Sequence, residues 1–366
     1  MNTSHPFISL CLIVRDEEPT LERCLESFEG GYDELIVVDT GSQDGSIDIA
    51  RGFGARIEYF EWRDDFSAAR NYACSLSSGK WIVMVDGDEI LGPVGIASRL
   101  PHMLRQVPER VDKLLIEQRT LAGEETVSLF ADRIFRNLPR LTWKYRIHEV
   151  IETPPGRTAK TRDFYLLHDN GHKRGEQGNI SPERQAMYLR ALSLDMEEHP
   201  SDPRPAFYYA GTLSGAGRYA EASQAFEHYF RLSESREPVR RAVAFRDAAA
   251  VADRIGERSK QRSLLFRSLE HDWRSRETYR ALSEAAAGNS NLEEAVHWLR
   301  IALGCPADEI GMYWSSMSSR PALLTRLAEL YRRAGQEEAA RDCERHVSAG
   351  EGTAHLWGLI EKNPTH

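Results

Sequence analysis

WIVMVDGDE, residues 81–89, decides the architecture. Five apolar residues in succession, Trp81 to Val85, break the alternation of a half-exposed strand and read as a strand covered on both faces. Such strands belong to parallel sheets sandwiched by helices, where ligands meet the carboxyl ends of the strands. Here that end is Asp86-Gly87-Asp88-Glu89. Working outward, ELIVVD at 34–39 repeats the design and closes on Asp39, and Phe7–Val14 is a third continuous apolar run. Between these strands, 20–28 places Leu21, Cys24, Leu25 and Phe28 on one helical face, and 46–52 suits a short helix. Residues 55–60 read as another strand, and 66–77 as a helix with Ala69, Ala73 and Leu76 on one side. Strand and helix thus alternate through the first ninety or so residues, which is the rhythm of a doubly wound sheet.

Beyond residue 113 the rhythm changes. Residues 113–119, 127–137 and 164–168 read as strands separated by loops such as Thr153-Pro154-Pro155-Gly156, an α+β continuation of the same domain. After about residue 178 strand patterns stop. Ser181 and Pro182 open a helix over 181–198 as cap and first-turn proline. In 206–232, Gly217, Tyr219, Ala222 and Phe226 fall at the offsets of a tetratricopeptide-like helical hairpin. Weaker copies follow at Leu292, Ala295, Leu299 and Ala302, then at Leu327, Leu330, Tyr331, Gly335 and Ala340. The stretch 241–270 reads as helix that departs from the repeat consensus. The expected division is therefore 1–178 for the α/β domain, 179–350 for the helical repeats and 351–366 for a tail.

The bulk numbers agree with a two-domain globular chain: 366 residues, 41% hydrophobic and 28% charged. A net charge of −9 argues against a nucleic-acid partner, since binding to phosphates draws on clustered Lys and Arg. Cys11, Cys24, Cys74, Cys305 and Cys343 form no CxxC pair and no zinc spacing, the pattern of reduced thiols in the cytoplasm. The apolar run at 7–14 is too short to cross a bilayer and is followed at once by Arg15-Asp16-Glu17-Glu18, so a soluble, cytoplasmic protein is expected.

Asp86 and Asp88 alternate on an extended backbone and so share a side, with Gly87 between them to let a ligand approach. Two carboxylates so placed suit Mg²⁺ or Mn²⁺, which take oxygen ligands and keep positions for phosphate oxygens and water. No GxxxxGK[ST] loop, GxSxG elbow or HExxH helix is present, and the glycines of Gly41-Ser42-Gln43-Asp44-Gly45 do not fit a dinucleotide fingerprint.

Four segments in order, SLCLIVRDEE (9–18), ELIVVDTGSQDGS (34–46), YFEWRDDFSAARN (59–71) and WIVMVDGDE, resemble the nucleotide-binding half of family 2 glycosyltransferases. The resemblance implies a GT-A fold, Rossmann-like and specific for nucleoside-diphosphate sugars. It implies a divalent cation, a UDP-sugar as donor and single displacement with inversion at the anomeric carbon. Asp39 would contact the base, with Asp44 in the loop behind it, and Arg15 and Glu17 would border the nucleotide. Asp65, Arg70 and Asn71 would line the same pocket, Asp86 would face ribose and metal, and Asp88 would be the principal metal ligand.

Downstream, His148-Glu149 and the histidine of Leu166-Leu167-His168 are similar to features of a subgroup fused to tetratricopeptide repeats, which includes bacterial protein and peptide glycosyltransferases. Glu149 or His148 would act as general base on the acceptor, and His168 would complete the metal shell or hold the diphosphate. The chain departs from that subgroup at Asp169-Asn170-Gly171-His172, where an aromatic residue near glycine is expected. His172, Lys173 and Arg174 are further candidates for phosphate contacts. The acceptor is expected to be a polypeptide or glycan, and the helical domain to present it or to form a homodimer. Two rivals are an inactive GT-A scaffold acting through its repeats, which would not need this carboxylate set, and a nucleotidyltransferase, which would use a basic glycine-rich loop where Arg15-Asp16-Glu17-Glu18 stands.

Overall fold

The computed structural model describes residues 5–122, 125–169, 181–233, 238–306 and 314–349. His172, Lys173, Arg174 and the 351–366 tail lie outside the described residues. The chain separates into two compact units, Met1–Gly217 and Arg218–His366. The first holds β1 (Ile8–Val14), α1 (Leu21–Ser27), β2 (Glu34–Asp39), α2 (Ser46–Gly52), β3 (Arg56–Tyr59), α3 (Phe66–Leu76), β4 (Trp81–Asp86), β5 (Glu89–Gly92) and α4 (Leu100–Gln106). It continues with β6 (Lys113–Ala122), β7 (Glu125–Arg136), β8 (Trp143–Lys144), β9 (Val150–Ile151), β10 (Thr158–His168), α5 (Pro182–Glu198) and α6 (Pro203–Gly215). The expected boundary at 178 precedes the one between the compact units by these two helices.

The sheet runs β3-β2-β1-β4-β7-β6-β10-β5. Its first four strands are parallel, β7 is antiparallel to β4, and β6 is antiparallel to β7. Every residue of β1 is buried, as its largely apolar run requires, and the one polar residue, Ser9, accepts a hydrogen bond from the Gly79 N–H at 2.8 Å. Side chains on one face of the strands (Leu10, Leu12, Val83, Val85) pack with α1, α2 and α4. Those on the other (Cys11, Ile13, Ile82, Met84) pack with Ala69 and Ala73 of α3 and with Trp143 and Ile151 of β8 and β9. Each such aliphatic side chain contributes about 1.5–3 kcal/mol when fully covered, so the sheet centre is the rigid part of this unit.

Chain order makes a crevice. From β1 the chain winds outward to β2 and β3, then returns to place β4 on the other side of β1. The connections after β1 and β4 therefore leave in opposite directions, and the gap between them is the switch point where such sheets bind ligands. The sequence did not announce β5, α4 or the β8–β9 pair. Each is short, and short elements carry too few residues for a periodic signal.

The second unit is helical: α7 (Tyr219–Leu232), α8 (Pro238–Arg254), α9 (Arg258–His271), α10 (Arg276–Gly288), α11 (Leu292–Gly304), α12 (Arg320–Arg333) and α13 (Glu337–Ala349). The expected helical stretch 241–270 is two helices, broken where Gly256 adopts φ +80°. These hairpins close through small side chains and hydroxyls: Ser268 donates to the Ala242 carbonyl at 2.8 Å, and Ser283 to that of Ala295 at 2.7 Å. Among the described residues no helix is long and apolar enough to cross a membrane. All five cysteines are free thiols.

One buried carboxylate ties the start of β6 to the chain entering β10. Asp112 is fully buried and bonds Arg157 (Nη2 to Oδ1, 2.7 Å; Nε to Oδ2) and Arg140 (2.7 Å). The Arg157 hydrogen bonds above all, with those of Arg140, hold its pKa at about 2 against an ordinary 3.8. A depressed carboxylate stabilises the folded state above its unfolded pKa and loses that contribution as pH falls through the folded one. Asp112→Asn is expected to cost about 2 kcal/mol at pH 7. In urea titrations the gap between variant and wild type should close as pH is lowered from about 4 to about 2.

Candidate active site

The acidic cluster at the end of β4 is built by register. Asp86 pairs with Ile13 and Asp39 with Val14, so the two aspartates flank β1, one residue out of step, at the carboxyl ends of their strands. β5 then runs antiparallel to β10 with Glu89 opposite His168, and the Asp169 N–H bonds the Asp88 carbonyl at 2.8 Å. That pairing carries His168, eighty residues further along the chain, to Asp88: Nε2 lies 3.4 Å from Oδ2. Gly87 lacks a Cβ for a local reason. One placed there would sit 2.9 Å from Cγ of Glu17, so the buried stem of Glu17 fills the space that the sequence assigned to a ligand.

Asp86 is gripped by two guanidiniums. Arg70 Nη2 bonds Oδ1 and Arg133 Nη2 bonds Oδ2, both at 2.7 Å. Arg133 also forks onto Glu89, which is fully buried and further bonded by Gln118 Nε2 and by the Asp86 N–H. The other arm of Arg70 reaches the residue before β9, where Nε donates to Oε1 of Glu149 at 2.7 Å. Burial works against the charge on both arginines, but the facing carboxylates, Asp86 and Glu149 for Arg70 and Glu89 and Asp86 for Arg133, raise their pKa values beyond the ordinary range. Desolvated and doubly paired, these cations stay charged and hold the carboxylates in place. Neither Arg133 nor Glu89 was singled out from the sequence. The available signal was a charged residue at position 133 inside a strand, next to Ile134 and Phe135.

His168 is mostly buried. Burial lowers its pKa, but hydrogen bonding and attraction to Asp88, with help from Glu89 and Asp86, leave it raised overall. Thr120 Oγ1 lies 3.4 Å from Nδ1, on the far side of the ring from Asp88. A carboxylate oxygen and an imidazole nitrogen stand side by side here, two groups of the kinds that divalent cations take as ligands. Four carboxylates (Asp86, Asp88, Glu89, Glu149) and two guanidiniums (Arg70, Arg133) thus meet at this end of the sheet, with His168 beside Asp88. Among the described residues no group of three or more His, Cys, Asp or Glu is placed so as to hold a metal ion.

The other sequence candidates occupy the loops around this core. Asp39, almost buried, accepts from the N–H groups of Gly41 (3.2 Å) and Ser42 (3.0 Å), which fixes the turn after β2. Asp44 binds the Ser46 N–H and hydroxyl with one oxygen and the Glu18 N–H with the other; burial opposes its ionisation, but these bonds lower its pKa. Asp65 caps α3 through the Ala68 N–H at 2.9 Å. Asn71 clamps the Trp143 backbone at both N–H and carbonyl. Arg15 is half exposed beside Asp16, 3.9 Å away. His148 is exposed to solvent and stacks on Tyr208, ring centroids 4.0 Å apart; desolvation by the groups packed around the ring lowers its pKa.

Residues 9–107 match the model of the family "Glycosyl transferase family 2". A TPR repeat-containing protein of Synechococcus elongatus is 41% identical over 145 residues, which is 40% of this chain and 35% of that protein. The SPbeta prophage-derived glycosyltransferase SunS of Bacillus subtilis is 27% identical over 218 residues, 57% of this chain and 49% of SunS. The chain therefore spans half or less of the length of these curated relatives. Among solved structures, a glucosyl-3-phosphoglycerate synthase of Mycobacterium tuberculosis, in complex with Mn²⁺, UDP and glucosyl-3-phosphoglycerate, is 24% identical over 32% of this chain and 45% of its own, with a TM-score of 0.25. The chain thus carries a glycosyl transferase family 2 domain in its sheet unit, followed by an all-helical region.

Arg133→Met is expected to destabilise the protein by about 3–5 kcal/mol, because it strips the cation from the fully buried Glu89 and takes one of two arginines from the partly buried Asp86. Arg23→Ala, which removes an exposed pair with Asp169, is expected to cost under about 1 kcal/mol in the same urea titration.

Proposed function

We propose that the sheet unit transfers a sugar from a nucleoside-diphosphate donor to an acceptor nucleophile, with Glu149 as general base. The observation that carries this reading is Arg70, one guanidinium joined to Asp86 at the donor strand end and to Glu149 on the opposite side. Donor and acceptor groups are thereby set at a fixed separation inside a buried network, and fixed orientation is the larger part of what a transferase must supply.

The donor diphosphate would lie at the switch point between the loops after β1 and β4. The turn shaped by Asp39 would border the base, with Arg15 and Glu17 alongside, and Asp44, Asp65 and Asn71 holding the surrounding backbone. Asp88 and His168 would hold a divalent cation, Mn²⁺ or Mg²⁺, in company with phosphate oxygens. When bound, that cation neutralises charge gathering on the departing diphosphate. Asp86, with each oxygen engaged by an arginine, would orient the cluster and face the ribose. UDP-sugars are the first donors to test, on the family resemblance.

Glu149 keeps Oε1 on Arg70 and would present Oε2 to the acceptor. It accepts the acceptor's proton as the nucleophile bonds to the anomeric carbon and the bond from that carbon to the diphosphate oxygen breaks. One displacement from the opposite face inverts the centre. His148 is the weaker base candidate, since its ring is stacked on Tyr208 and its protonated form is disfavoured. The helical unit would hold a polypeptide acceptor. A groove of about 410 Å³ there, lined by Arg246, Asp247, Arg258, Arg280 and Glu284, supports an extended polar ligand.

A screen of common sugar nucleotides, read as released nucleoside diphosphate, is expected to find Mn²⁺- or Mg²⁺-dependent turnover of at least one. Asp88→Asn should lower that rate at least about a hundredfold. Glu149→Gln should lower it by about 10²- to 10⁴-fold. Full activity of Asp88→Asn in the presence of metal, or turnover indifferent to chelator, would remove the metal assignment.

A further inference from the structure

The loop joining β8 to β9 is strained, and its last residue is Glu149. Tyr145 and His148 both adopt left-handed backbone, φ 67° and 54°, without being glycine. Each such residue costs about 1–3 kcal/mol and persists only where its surroundings over-determine it. The surroundings here are α5 and α6.

The grip is made residue by residue. Asp195 of α5 is buried and accepts both the Arg146 backbone N–H (2.9 Å) and the Arg146 guanidinium (2.7 Å). Glu198, one turn on, takes the two Arg146 terminal nitrogens at 2.8 and 2.6 Å. The Tyr145 hydroxyl donates to Asp202, which also caps α6 through the Arg204 N–H. Arg204 Nη2 reaches back to the His148 carbonyl at 2.7 Å, beside the His148 ring stacked at 14° on Tyr208. Ile147 is buried with Ala191 and Leu192 of α5. On the opposite side the Arg146 carbonyl accepts from the Phe66 N–H at the start of α3, the helix that carries Arg70. Four consecutive residues before Glu149 are thus anchored to one helical pair.

We propose that α5 and α6 are a brace for the catalytic loop, with Asp195, Arg146 and Arg204 as positioning residues that set the Glu149 carboxylate. This rests on the reading of Glu149 as general base. The clamp touches backbone at two of the four positions, the Arg146 N–H and the His148 carbonyl, and α3 holds the Arg146 carbonyl from the other side, which is what fixing a strained path demands. A hairpin serving only as the first helical repeat would bury apolar area and would need no charged hold on a loop of the sheet unit. Freed of the clamp, Tyr145 and His148 relax toward ordinary dihedrals and Glu149, still paired with Arg70, is drawn off its place; a displacement of about 1 Å suffices to cost about a hundredfold in rate.

The test uses the full chain and the donor with the fastest Mn²⁺-dependent release of nucleoside diphosphate. Arg204→Gln, Arg204→Lys and Asp195→Asn are compared with Glu149→Gln, singly and combined with it. Arg204→Gln and Asp195→Asn are expected to lower kcat about 10- to 100-fold while donor KM stays within about twofold, since donor contacts are untouched. Arg204→Lys, which restores a cationic donor to the His148 carbonyl, should recover part of the loss. Added to Glu149→Gln, neither change should lower the residual rate further, because groups acting through one another are not additive. Amide exchange over 145–149 should quicken in Arg204→Gln while that of β1 and β4 stays protected. Unchanged kcat in Arg204→Gln, or an equal loss in the Glu149→Gln background, overturns the brace. If Glu149→Gln keeps wild-type kcat, the base assignment fails and the brace falls with it; if Glu149→Gln is inactive and Arg204→Gln unimpaired, the brace alone fails.

Discussion

The candidate site depends on two buried guanidiniums placed among carboxylates that would otherwise repel one another. Arg70 and Arg133 share Asp86, and from it one extends to Glu149 and the other to Glu89. In a medium poorer in water each of these charges is stable only with its partner, so no member can move alone. That constraint turns five side chains from α3, β4, β5, β7 and the loop before β9 into one rigid unit. Mobile surface pairs such as Arg63 with Glu61 lie outside it and contribute little.

The same constraint separates two kinds of acidic residue at the end of β4. Asp86 faces arginines on both oxygens, whereas Asp88, two residues on, faces the imidazole of His168. A strand-end triplet that looks symmetrical in sequence is therefore divided between a carboxylate paired with arginines and one beside a histidine. The division follows from what stands opposite each carboxylate, namely β7 with Arg133 in one case and the end of β10 in the other.

The helical part shows a comparable division. By sequence it is one run of helices from residue 181 onward, yet α5 and α6 fall in the unit of the sheet and hold its strained loop. The later helices pair among themselves, with hydroxyl-to-carbonyl bonds such as Ser268 to Ala242 where the repeat consensus is weak. Periodicity reports which face of a helix is buried and not what covers it. The different roles of the helix at 182–198 and the one at 276–288 are accordingly invisible in their patterns.

The alternation of apolar runs with amphipathic helices determined β1 to β4 and α1 to α3 to within a residue or two, because side-chain period and burial are local properties. Strand order put the acidic termini at one crevice, and the run WIVMVDGDE with its sister ELIVVD was enough to say so. Sequence also singled out Arg70, Asp86, Asp88, Glu149 and His168, but it gave Gly87 to a ligand where Glu17 packs, and it passed over Arg133 and Glu89. The two omissions, Arg133 and Glu89, have one cause. Which charges meet across a sheet depends on the register of strands far apart in the chain, β4 with β7 and β5 with β10, and no local pattern encodes that register. The sequence by itself determined the strands, their acidic ends and the helical region behind them. Tertiary structure alone decided which carboxylate received an arginine, which a histidine, and which loop the first two helices of that region hold, because each of these is a pairing between segments brought together only by folding.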